Sequence, residues 1–168
     1  MDNPFRFRNR FSKSSVENYP KFAYQILRGK MNPNFTGKLY FTPKKKVDIQ
    51  NLQIYVDEHL KDEWIHRLDR IKGIEVRSTC QGHDSKYVTH IIFRPLNQDL
   101  DYIKDKVNFI NKNLPDTKCD YMFGHFDNTY RIGLVTRTWY REGTDNSNWE
   151  RWWEKTISFL EKLFNEKE

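Results

Sequence analysis

The sequence predicts an α+β fold, an antiparallel or mixed sheet with helices packed on it. Three observations carry this. Helical periodicity runs through three segments of the body, and two pairs of strand-like runs lie between them. A short polar turn joins each pair. Residues 47–168 therefore read as αββαββα, behind a basic segment spanning residues 1–46.

The chain opens with alternating Phe and Arg (Phe5-Arg6-Phe7-Arg8) and stays basic through Arg10 and Lys13. Residues 1–16 read as an arm that is disordered when free. Lys21 to Arg28 forms a short helix candidate after Pro20, and Lys38 to Thr42 an isolated strand candidate. Pro43-Lys44-Lys45-Lys46 closes the region. Past Asn51 the pattern sharpens. Asp57 is placed to cap a helix whose Leu60, Trp64, Ile65, Leu68 and Ile71 share one face, and Gly73 stops it. Strands Ile74–Cys80 and Tyr87–Arg94 follow. A second helix, about Asp99 to Asn113, turns Leu100, Ile103, Val107 and Ile110 inward and ends at Pro115. A hairpin then turns at Asp127-Asn128. The last helix begins with Ser147 and Glu150 at capping-box spacing. Its Trp149, Trp152, Trp153, Ile157, Leu160 and Phe164 make a buried stripe.

Composition excludes several classes. No apolar run approaches the roughly 20 residues of a membrane span, and the first ten residues lack a secretory core. Cys80 and Cys119 are too few for a disulfide framework. The expectation is a cytoplasmic protein with no membrane partner. Its charge is uneven. Residues 1–46 hold eleven Lys/Arg against two Asp/Glu, a net of +9, and the remainder carries −3. Concentrated cations favour a polyanion such as RNA, because each neutralised phosphate releases counterions. Arg6, Arg8, Arg10, Lys13, Lys44, Lys45 and Lys46 are the candidate nucleic-acid contacts, with the interleaved phenylalanines available for base stacking.

The hairpin fixes two faces. With Asp127 and Asn128 as the turn, Phe126 lies opposite Thr129. Cys119, Tyr121, Phe123 and His125 then share the core face with Tyr130, Ile132, Leu134 and Thr136. The other face carries Gly124 and Gly133, which read either as a bulge at Gly124 on a solvated face or as missing side chains that leave room beside Arg131 and Arg137 for an anion.

The segment Ser78-Thr79-Cys80-Gln81-Gly82-His83-Asp84 concentrates the chemistry. As a binding turn, Gly82 permits a positive φ, so that amides converge on an anion. Ser78, Thr79 and Gln81 add polar contacts, with His83 and His90 nearby. As a catalytic pair, Cys80 would be the nucleophile and His83 its base, oriented by Asp84. Cys80 would share the core-facing side of its strand with Ile74, Val76 and Ser78. A zinc site from Cys80, His83, Cys119 and His125 fails on distance, since positions 119 and 125 of one strand lie about 20 Å apart. No metal is expected, though Cys80, His83 and His90 leave a metal-dependent hydrolase as a third alternative.

The helix at 58–71, the strand, the Ser78-x-Cys80-x-Gly82 turn and the next strand resemble the tRNA wybutosine-synthesising protein 3 family, whose turn reads Ser-x-Cys-Ser-Gly-Arg. Gln81 stands at the second serine and His83 at the arginine. The resemblance implies an α+β scaffold, S-adenosylmethionine as cofactor and methyl transfer to tRNA, with Ser78, Cys80, Gly82 and His83 shaping the pocket. A Cys-x-Gly-His form of the turn is similar to segments of small bacterial and phage proteins. The expected function is an RNA- or nucleotide-associated protein. The rival is a non-catalytic viral or mobile-element protein that binds a nucleotide ligand or a larger assembly.

Overall fold

A computed structural model describes residues 44–49, 52–82, 89–124 and 127–165. Strands β1 (Lys44–Ile49) and β2 (Leu52–Asp57) pair antiparallel as a two-stranded sheet. Helix α1 (Asp62–Asp69) leads to β3 (Ile74–Cys80) and β4 (Thr89–Pro95). Helix α2 (Leu100–Asn113), strands β5 (Lys118–Gly124) and β6 (Thr129–Thr136), and helix α3 (Ser147–Phe164) complete the order. The main sheet is antiparallel throughout, with strand order β3-β4-β6-β5. This is the α+β arrangement expected, with one hairpin added in front.

That hairpin runs through position 46, where the change of composition had suggested a boundary. Val47, Ile49, Leu52, Ile54 and Val56 alternate in sequence, a half-buried strand pattern, and Val47 and Val56 are buried. Adjacent strand residues point to opposite faces, so Lys45 and Lys46 do not share one. Lys46 is exposed, while Lys45 Nζ lies 2.6 Å from Asp62 Oδ1.

Two helix starts differ from expectation. Asp57 ends β2 instead of capping α1, because its carboxylate takes the Gln81 amide at 2.9 Å. Lys61 occupies the cap, and Asp62 and Glu63 supply the negative charge that a helix N-terminus favours. At α3 the cap is Asn146, not Ser147. The Asn146 amide folds back onto the Arg141 N–H and carbonyl, and the Ser147 N–H donates to Asp145. Helix α2 is capped by Asp99, which accepts from the Tyr102 amide.

The helices cover one face of the main sheet. Ile74, Ile91, Phe93, Cys119, Ile132 and Leu134 meet the buried residues of all three helices in a single core. Trp64 stacks on Trp153 with centroids 5.4 Å apart and planes 6° from parallel, and Trp149 meets both edge-on. The tryptophan stripe is thus core, as its spacing predicts. Arg67 ties α1 to α3 through Glu154, Ser158 and Glu161.

Candidate functional site

The second face of the main sheet is organised by two local features. The first is a bulge in β3. Val76 pairs with Phe93 but Ser78 pairs with Ile92, leaving Arg77 as an extra residue. A bulge reverses the alternation beyond it. Ser78 and Cys80 therefore join Ile92 and His90 on the second face, and Thr79 joins Ile91 on the helix side. The core-facing assignment of Ser78 and Cys80 is corrected accordingly.

The second feature is the β5–β6 register. Gly124 pairs with Thr129 and Cys119 with Leu134, two residues away from the expected pairing of Phe126 with Thr129. A shift of two keeps every side chain on its face. Cys119, Ile132 and Leu134 are in the core, while Asp120, Met122 and Arg131 lie opposite. No empty gap flanks Gly124. A Cβ there would meet Arg131 and Asp127 at 3.2–3.3 Å.

Together these features assemble an alternating chain of charge across three adjacent strands and the hairpin loop. Arg94 Nη2 lies 3.0 Å from Glu75 Oε2, and Glu75 Oε1 lies 3.4 Å from Arg77 Nη2. Asp127 Oδ2 then bridges Arg77 and Arg131 at 3.1 and 3.2 Å. Among the described residues, three guanidiniums face two carboxylates. Arg131 is buried, whereas the side chains of Arg77 and Arg94 retain 23% and 22% exposure. The Nε atoms of Arg77 and Arg94 are buried and make no hydrogen bond among the described residues. Burial lowers the Arg77 pKa from its ordinary value; Arg131 and Arg94 push the same way, against Glu75 and Asp127. Burial works to raise the Asp127 pKa, yet the Thr129 hydroxyl, Arg131 and Arg77 outweigh it and hold the carboxyl below its usual range.

The turn after β3 has a different role from the one its composition suggests. Gln81 and Gly82 are buried. The Gln81 amide donates to Asp57, and its side-chain oxygen accepts from the His59 amide. Its carbonyl accepts from Thr89 Oγ1, Tyr140 N and Trp149 Nε1. Gly82 does adopt the predicted positive φ, 81°, but its amide faces Cys80 Sγ at 3.4 Å, and a Cβ would lie 2.4 Å from that of Trp139. Gln81 and Gly82 therefore form a knot that joins four parts of the fold, not a ligand nest. Cys80 is buried, outside any disulfide, and opposite His90, and Ser78 Oγ lies 3.2 Å from His90 Nε2. Thr79 is half-buried.

Arg137 is exposed just past β6, about 20 Å along the strand from Arg131, so the two do not share an anion. Arg77 and Arg94 take that place beside Arg131. Glu75 and Arg77 alternate along the strand opposite Arg94, which is a legible signal, but the bulge that brings Arg77 alongside is not. Asp127 was read only as a turn residue. His83, Asp84, His125 and the arm residues Arg6, Arg8, Arg10 and Lys13 lie outside the described residues, as do the helix and strand candidates at 21–28 and 38–42. Among the described residues no cluster of three or more His, Cys, Asp or Glu could hold a metal ion. No described helix is long and apolar enough to cross a membrane. Compared with family models, curated proteins and solved structures, the chain matches none.

Proposed function

We propose that this protein binds RNA or a nucleotide by its phosphate, through Arg77, Arg94 and Arg131. The observation that carries the reading is the surplus guanidinium in the alternating chain. Three cations are held together by two carboxylates, in surroundings dry enough to depress one of them. Low local dielectric strengthens a charge-assisted hydrogen bond. An incoming phosphate oxygen would relieve the mutual repulsion of the arginines, meeting Arg77 and Arg94 where their side chains are partly exposed. The basic N-terminal segment, with its net +9 over residues 1–46, adds attraction at longer range.

This is a binding reading. Methyl transfer, which the resemblance implies, draws no support from a turn whose Gln81 and Gly82 are buried and hydrogen-bonded within the fold.

The test is the binding of a labelled single-stranded RNA, followed by fluorescence anisotropy across a salt series. Replacing both Arg77 and Arg94 by Met should weaken binding by about tenfold or more, since each charge-assisted bond contributes on the order of 1.5–3 kcal/mol. Deleting residues 1–16 should flatten the salt dependence, by up to about 0.7 in log–log slope per cation removed. A double variant that folds and binds like the parent would overturn the reading.

A further inference from the structure

Asp127 holds two of the three arginines with one oxygen. Its Oδ2 accepts from Arg77 and Arg131, while Oδ1 is held by the Thr129 hydroxyl at 2.7 Å and approached by its amide at 3.3 Å. An anionic oxygen shared by two guanidiniums is also the geometry in which arginines grip a phosphoryl group. The carboxylate sits in the loop between β5 and β6, not on a strand, and its side chain is 31% exposed. It can therefore leave without breaking the ladder.

The charges select among phosphates. Among the described ion pairs, Arg77, Arg94, Arg131 and Glu75 together carry +2, and Asp127 reduces this to +1. A ligand that displaces Asp127 meets +2. A phosphomonoester, with about −1.5 to −2 at neutral pH, matches that value, whereas a backbone phosphodiester carries −1. The layout agrees. Adjacent strands are about 4.8 Å apart, so the three cations form a focus instead of a track for successive phosphates. Arg137 does not extend a track, because it lies just past the far end of β6. Asp120 lies on the same face across from Gly133, but its Oδ1 accepts from the Tyr121 amide and it forms no ion pair among the described residues.

We infer that the ligand of this site is a terminal phosphate, the phosphomonoester end of a nucleotide or RNA, and that Asp127 stands in its place until it arrives. The inference rests on the function proposed above and adds to it a ligand class and an internal competitor. Displacement moves the Asp127 carboxylate to solvent, and the phosphoryl oxygens take over Arg77 and Arg131.

The probe is one labelled RNA decamer in two forms, phosphorylated at both ends or bearing hydroxyls at both. The parent protein should bind the phosphorylated form about tenfold tighter, and the Arg77→Met/Arg94→Met double variant should abolish the difference. Asp127→Asn should tighten binding of the phosphorylated form by about two- to fivefold, the scale of a partly exposed ion pair. Asp127→Glu, which keeps the charge, should not. Thr129→Val, which frees Oδ1, offers a milder variant with the same expected direction should Asp127→Asn fail to fold. Equal affinity for the two RNAs, with both weakened by the double variant, would leave phosphate binding standing and overturn the inference. So would weaker binding by folded Asp127→Asn. Failure of the parent to bind either RNA would remove the proposed function itself.

Discussion

The indole N–H of Trp149 donates to the carbonyl of Gln81 at 2.9 Å, tying the end of β3 to the first turn of α3 across 68 residues of chain. Thr89 and Tyr140 converge on the same carbonyl, and Asp57 holds the amide of the same residue. One buried residue thus collects bonds from β2, β4, the loop before α3, and α3 itself. Removing one partner leaves a polar group stranded, which costs more than the bond contributed. Asp57→Ala should lower stability by about 1–3 kcal/mol, read as a reduced urea midpoint with an unchanged slope. A midpoint equal to the parent's would mean the knot is not a stabilising feature.

Gly82 makes a second, independent demand on that corner. Its φ of 81° is unfavourable for any residue with a Cβ, and that atom would lie 2.4 Å from Trp139 Cβ and 2.6 Å from Thr89 Oγ1. Gly82→Ala should destabilise by more than the ~1–2 kcal/mol of left-handed backbone alone, because Trp139 Cβ moves only with its backbone and Thr89 Oγ1 can turn away only by giving up its bonds to the Gln81 and Thr138 carbonyls. Thermal melting compares it with the parent. A loss under 1 kcal/mol would show that the strands shift readily there.

Acid should loosen the contact between α1 and α3. The Trp64 indole donates to Glu154 at 2.7 Å and so holds its pKa below the usual range; burial opposes this, and Arg67 adds to it. A depressed folded value means stabilisation that is present in full above the ordinary glutamate pKa. It is lost as pH falls through the lower folded value. Stability should therefore decline on acidification below about pH 5, and Glu154→Gln should flatten part of that decline. Denaturant midpoints between pH 3 and pH 7 supply the comparison, and parallel curves for the two proteins would refute it.

Neither cysteine should react while the protein is folded. Both thiols are buried, and burial pushes that of Cys119 far above its ordinary pKa, with Asp120 adding to the rise. The thiolate is the reactive form. A thiol-specific chromogenic reagent at neutral pH should count almost none in the native protein and two in denaturant. Rapid native labelling of Cys80 would return the nucleophilic reading of that residue to contention.

Much of the architecture was legible because it rests on periodicity. The α1 face from Leu60 to Ile71, the tryptophan stripe of α3 and, over the described residues, the two faces of β5 and β6 are present as read. The faces survived even an error in the turn, because a two-residue slip preserves them. The β1–β2 hairpin was missed when three consecutive lysines outweighed the alternation from Val47 to Val56. Two caps failed because Asp57 and Ser147 have the right side chains but are engaged elsewhere. The candidate site was half legible. Arg131 was chosen for the correct face, but its partners depend on a one-residue bulge that leaves no mark in composition. The polar turn misled for a related reason: Gln81 hydrogen-bonds as its chemistry suggests, to other parts of the chain.

The extra residue in β3 divides that strand into two halves of opposite handedness toward the tryptophans. Excising position 77 would make the pairs Val76–Phe93 and Ser78–Ile92 consecutive, a regular ladder in which Ser78, Thr79 and Cys80 keep the faces they have now. The extra residue therefore serves the charges of the second face and not the packing beneath the helices, and a chain lacking it should keep its core while losing one of the three guanidiniums.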